Sequence, residues 1–241
     1  MENTGWAKTL RIIGIVAMSL TALVTLAGGA GTTCVALNPT GYGERFAGIA
    51  PFQWLYLAFV VVTIALGVLG VRAAVLLVRG ARSAYRDALL ALLGGTLVGI
   101  IHIAASRSLR GGSMPVDAVV YVTVLTLAIF LLFRIPGIWQ GVNLARAARD
   151  EGTGRHAAAI ALWATGLLAL TIQFPMAPTH TIDGINYADV WHVALTLIGM
   201  TLILSGVATE VYARLASDRG ATGKASSAPS AGIETCSRHP A

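Results

Sequence analysis

Charge is scarce in this chain. Only 11 of its 241 residues are acidic and 17 are Lys or Arg, which leaves charged side chains at 12%, against about a quarter in soluble domains. With 56% hydrophobic residues and a mean hydropathy of +0.73, an ordinary water-soluble domain is excluded. Cysteine is nearly absent: Cys34 and Cys236 stand alone and no CxxC occurs, so there is neither a disulfide framework nor a thiol redox motif. A Walker A loop, a GxSxG elbow and an HExxH pair are also missing, which sets aside three common enzyme designs. The reading leans away from an enzyme.

What is abundant is hydrocarbon. Crossing a bilayer takes about 20 apolar residues at roughly 1.5 Å of helix rise each. Six runs reach or approach that length: 12–30, 54–78, 88–106, 115–135, 157–174 and 190–213. Their apolarity is continuous, whereas barrel strands would alternate in polarity. The expected fold is therefore all-α, a polytopic bundle of six transmembrane helices over residues 1–216, followed by a disordered cytoplasmic tail at 217–241. That tail is rich in Ser, Gly and Ala and has almost nothing to bury. Lys8 and Arg11 ahead of the first run also fit a cleavable signal peptide, which would leave five spans. The fifth run is expected to stop before Pro175 and Pro178. After Arg134, the segment IPGIWQG reads as a break followed by a short interfacial helix or a plain loop.

Basic residues give the orientation. With the amino terminus in the cytoplasm, 14 of the 17 Lys and Arg fall on the inner side, and only Arg45, Arg107 and Arg110 lie outside, as the positive-inside rule requires. The expected location is the plasma (inner) membrane, multi-pass, with both termini cytoplasmic. The net charge of +6 then records topology and calls for no nucleic-acid partner. Phe52, Trp54, Tyr56, Tyr187 and Trp191 would mark the outer interface, and Trp6, Tyr85, Trp139 and Tyr212 the inner one. Cys34 is placed in the first outer loop and Cys236 in the tail.

Two stripes carry the polar groups that chemistry could use. In the third span, Gly95, Gly99, His102 and Ser106 share one helix face, and the GTLVG within it is a GxxxG that marks close helix approach. In the sixth span, His192, Thr196, Gly199, Ile203, Gly206 and Glu210 follow steps of four and three, the pattern of a packing seam. Such seams also suit a homo- or hetero-oligomer beside the lipid bilayer.

The outer ends of spans three, five and six are expected to converge on a pocket. His102, Gln173, Asp189 and His192 would line it together with Ser106 and Thr196, and the loop above would add His180 and Asp183. Asp189 and His192 sit one turn apart, a spacing that suits a divalent metal with His180 and Asp183 as further ligands. His102 and His192 could be the axial ligands of haem b. The same groups could serve a proton or small-solute transporter, or be structural residues of a non-enzymatic membrane component, an assembly or accessory subunit.

Overall fold

The computed structural model describes residues 5–142, 144, 151–182 and 184–226. It is an all-α bundle, and among the described residues five helices are long and apolar enough to cross a membrane, six if one bent pair counts as a span. The first, α1 (Gly5–Leu37), has 33 residues and is about 50 Å long, well over the roughly 30 Å of hydrocarbon. Cys34 accordingly falls in its last turn rather than in a loop.

Beyond α1 the chain makes 3-10 turns at Pro39–Tyr42 and Ala50–Phe52 around the short α2 (Glu44–Ala47). Two long helices follow, α3 (Gln53–Arg79) and α4 (Ala84–Arg110). Each ends on a glycine in the left-handed region, Gly80 at φ 65° and Gly111 at φ 68°, where a Cβ would be strained and the freed amide can turn back to the last carbonyls. Gly48 is required for a different reason: a Cβ there would strike the Leu109 carbonyl, so the first loop lies directly on the end of α4.

The fourth run becomes α5 (Val116–Leu132), which turns through 95° into α6 (Pro136–Val142). The bend falls at the Pro-Gly break, since proline cannot supply the amide that would continue the ladder. The next run is α7 (Glu151–Thr171), and helical structure does not end ahead of Pro175. After Ile172 it resumes as α8 (Gln173–His180), where Pro175 occupies a first-turn position whose amide has no intrahelical partner in any case. Two-residue strands β1 (Thr181–Ile182) and β2 (Ile185–Asn186) pair antiparallel, with Gly184 at φ 78° in the reversal. After a 3-10 turn at Tyr187–Trp191, α9 runs from His192 to Ser226. The helix therefore continues past residue 216, because extending a formed helix adds one hydrogen bond per residue fixed whereas only its start is costly. Residues 227–241 lie outside the described residues, as do Arg146 and Arg149.

Packing is organised around α1, which lies against α3, α5 and α7, while α4 packs on α3 and α5, and α9 on α7. In lipid such association rests on close packing rather than on escape from water, and the seams are correspondingly small. A Cβ on Gly70 would lie 3.1 Å from that of Ala22, and one on Gly166 only 2.8 Å from the Gly199 carbonyl. The main core joins Ile15, Met18, Leu77, Leu92, Phe130 and Phe133. Outward faces carry Val61, Leu97, Leu125 and Leu204, all exposed, as a lipid-facing surface requires.

Candidate functional site

On α4 one face runs Asp87, Ala91, Gly95, Gly99, His102, Ser106, at helical spacing. Gly99 lets Val120 of α5 approach, and Gly95 meets Thr123 at 3.3 Å from an added Cβ, so GTLVG does serve a close helix crossing. At the Arg110 end of this face, Ser106 is fully buried and shares a 2.8 Å hydrogen bond with the Tyr56 hydroxyl of α3. Tyr56 itself is 2% exposed. It belongs to the interior and not to the interfacial belt, because its hydroxyl has a buried partner. Phe52 and Trp54, by contrast, are exposed as an interface residue should be.

His102 is held between these aromatics. Its ring stacks on Phe59 at 4.3 Å between centroids and meets Tyr56 edge-on at 5.3 Å. Only 5% of it is exposed, yet its ring nitrogens make no hydrogen bond with any described residue. A polar group so placed costs roughly 1–3 kcal/mol unless water or a ligand meets it. His102 instead lines a partly open cavity of about 40 Å³ between α1, α3, α4 and α5. Thr25 and Thr32 of α1, Thr63 of α3 and Thr123 of α5 share that lining. A smaller cavity of about 10 Å³ shares Thr25, Leu66 and Thr123 with it, and near its level the Thr21 and Thr126 hydroxyls bond at 2.7 Å across α1 and α5.

A polar lock lies at the Arg110 end of the cavity. Arg107 donates through Nε to Ser113 Oγ and through Nη2 to Asp117 Oδ1, both at 3.0 Å, and Ser113 donates to Asp117 Oδ2 at 2.6 Å. Between the locked residues lie Pro115 and Val116, two walls of the cavity. Arg110 donates to the Met114 carbonyl at 2.9 Å and lies over the Phe46 ring, which ties the first loop to the same cap.

His192 belongs to a different packing. Its Nδ1 pairs with Gln173 Oε1 at 2.8 Å, linking α9 to α8. At the far end of the same seam His156 Nδ1 meets Glu210 Oε2 at 3.0 Å. The stripe from His192 to Glu210 is thus the face α9 turns to α7, pinned at both ends. Thr196 is half-buried on it.

The other expected site residues are dispersed. His180 Nδ1 bonds the Met176 carbonyl of its own helix at 3.0 Å, Asp189 accepts from Asn186 at 3.2 Å, and Asp183 lies outside the described residues. Among the described residues no group of three or more His, Cys, Asp or Glu could hold a metal ion. Of the expected set, Gln173 and His192 come together, and His102 and Ser106 both meet Tyr56. The His102 cavity has no lining residue from α7, α8 or α9, so His192 does not share it.

Tyr56, Phe59 and the threonines are the residues that sequence reasoning missed. Their signal was present: Tyr56, Val60, Thr63, Gly67 and Gly70 recur at helical spacing in α3, as do Thr21, Thr25 and Thr32 in α1. Comparison with known proteins finds no matching family model, no similar curated protein and no similar solved structure.

Proposed function

We propose that the chain is a non-enzymatic, multi-pass component of the plasma (inner) membrane, in an assembly or accessory role, that keeps a polar ligand pocket around His102. Both termini are cytoplasmic in this reading, since 14 of 17 Lys and Arg then lie inside, and the cavity sits in the outer half beneath the Arg107–Ser113–Asp117 lock. One observation carries the pocket: a 95% buried imidazole with no hydrogen-bonding partner among the described residues, facing a largely apolar cavity whose wall includes four threonines. Polar groups within a membrane are costly and characteristically mark sites of function, and a ligand that hydrogen-bonds the ring removes that cost.

Cysteine accessibility tests this. In a chain with Cys34→Ser and Cys236→Ser, cysteines replace Thr32 and Thr63 in the cavity and Leu97 and Leu125 on the exposed apolar faces. A thiol reacts with a small methanethiosulfonate only where water lets it ionise. The cavity cysteines should react in sealed vesicles and the lipid-facing ones should not. Equal silence at all four positions would end the pocket reading, and labelling of an added cysteine at position 79 by an impermeant reagent on intact cells would reverse the orientation.

A further inference from the structure

We infer that the His102 cavity is selective for small uncharged hydrogen-bond donors, water or a short-chain alcohol, a ligand class that deepens and rests on the pocket reading above. The reason lies in where the threonine protons go. Thr25 donates to the Thr21 carbonyl at 2.7 Å, Thr32 to the Gly28 carbonyl at 2.8 Å and Thr123 to the Val119 carbonyl at 2.7 Å. Each hydroxyl spends its one proton on its own helix, so what it can offer a ligand is oxygen lone pairs. Thr63 makes no hydrogen bond with a described residue and can act either way. A neutral His102 adds one acceptor and one donor. Most of the wall is apolar, and its few polar groups offer more acceptors than donors.

Among the described residues, no charged side chain lines the cavity. An ion would arrive without a compensating partner, and an acceptor-only molecule would meet three threonine hydroxyls whose protons are already spent, leaving only the His102 and Thr63 protons to receive. Size agrees: about 40 Å³ of space open to water centres takes about three waters at roughly 10–15 Å³ each, and the adjoining 10 Å³ takes about one. A flat tetrapyrrole does not fit, whereas a short alcohol in place of two waters does.

The test is solid-state NMR on the full chain in liposomes, with labelled histidine, threonine and leucine and magnetisation transferred from water. The His102 ring nitrogens and the Thr25 and Thr123 side chains should receive it as fast as residues of the first loop do, while Leu97 receives none. Two probes of similar size then divide the class: ¹³C-methanol, which donates, and ¹³C-acetonitrile, which only accepts. Cross-peaks from methanol to His102, with none from acetonitrile, identify a short-alcohol site, and water transfer with neither probe entering identifies a water site. Both outcomes keep the donor class. Acetonitrile entering as readily as methanol overturns it and leaves the pocket standing. A second arm uses the isosteric Thr25→Val/Thr123→Val pair, where water transfer to His102 should fall at least about threefold as its anchoring acceptors vanish, and an unchanged rate counts against the inference. The probe contrast is made on the unaltered protein, so it stands even where this variant fails to fold. A dry His102 sinks the inference and the pocket reading together.

Discussion

Gly199→Ala should loosen α9 from α7, and the size of the effect can be worked from the crossing. An added Cβ would stand 2.6 Å from Leu170 Cγ and 2.8 Å from both the Gly166 carbonyl oxygen and Leu170 Cδ2. Ordinary contact begins near 3.5 Å, so the overlap is about 0.7 Å. Leu170 can rotate, but the Gly166 oxygen belongs to helix backbone and cannot. The helices must therefore part by most of that overlap. Overpacking of this kind costs about 1–3 kcal/mol. Parting also stretches the 2.8 Å Gln173–His192 bond toward the limit of hydrogen bonding, at roughly 0.6 kcal/mol in a membrane, and pulls at the exposed His156–Glu210 contact. The expected loss is about 2–4 kcal/mol in reversible unfolding from bicelles. Gly166→Ala meets the same crossing from the other side, 2.8 Å from the Gly199 carbonyl, so the double variant should cost less than the sum of the two. Gly137→Ala is the control, because nothing lies within 4 Å of its Cβ. If Gly199→Ala were as stable as this control, the close crossing of α7 and α9 would be wrong.

Other expectations follow from single contacts. Gln173→Leu and His192→Phe should each cost about 0.6 kcal/mol, up to 1.7, and a double-mutant cycle should return a coupling of that size, whereas zero coupling would remove the bond. Thr21→Val should cost similarly little, because Thr126 can turn its proton to its own helix; a loss beyond about 3 kcal/mol, in the range of a stranded polar group, would show that Thr126 has no such alternative. Asp117→Ala strips Arg107 and Ser113 of a shared acceptor, so cysteines at Thr32 or Thr63 should label faster once the lock over Pro115 and Val116 is open. An unchanged rate would mean the lock does not close the cavity.

Much of this architecture was legible in the sequence because a bilayer leaves few choices. Continuous apolar runs of the right length can only be helices, and the α9 stripe was found because heptad-like steps of small and polar residues leave one face. Partnering is what the pattern could not show. His102 and His192 look alike on their stripes, but which helix each faces depends on the order of packing around α1, and no spacing within a run encodes that order. Tyr56 was misplaced for the same reason. Beside Phe52 and Trp54 it resembles a belt residue, and only the buried Ser106 hydroxyl opposite it draws it inward. Helix ends were read least well, since Pro175 falls in a first turn where proline is harmless, a distinction that needs the local break at Ile172.

The trio of charges at the Arg79 end of α3 shows how burial, rather than sign, decides which partner matters. Asp87 lies in the first turn of α4 with a side chain 4% exposed, and it receives Arg72 and Arg86, each at 3.4 Å and themselves 64% and 74% exposed. Arg72, though mostly exposed, therefore serves a buried carboxylate. Removing the two arginines strands a carboxylate that water cannot reach, a change costing about 3–5 kcal/mol when nothing compensates. Here the positive end of the α4 dipole returns about 0.3–1 kcal/mol of it. Removing the charge of Asp87 leaves two guanidiniums that are mostly in water already, so Asp87→Asn forfeits little beyond the dipole term and two exposed-type ion pairs, together about 1–3 kcal/mol. The ordering follows: Arg72→Met/Arg86→Met should destabilise more than Asp87→Asn in the same bicelle unfolding assay, although it removes only exposed side chains. Were Asp87→Asn the worse of the two, the carboxylate would have to be anchoring α3 to α4 through its charge, and the burial argument would fail.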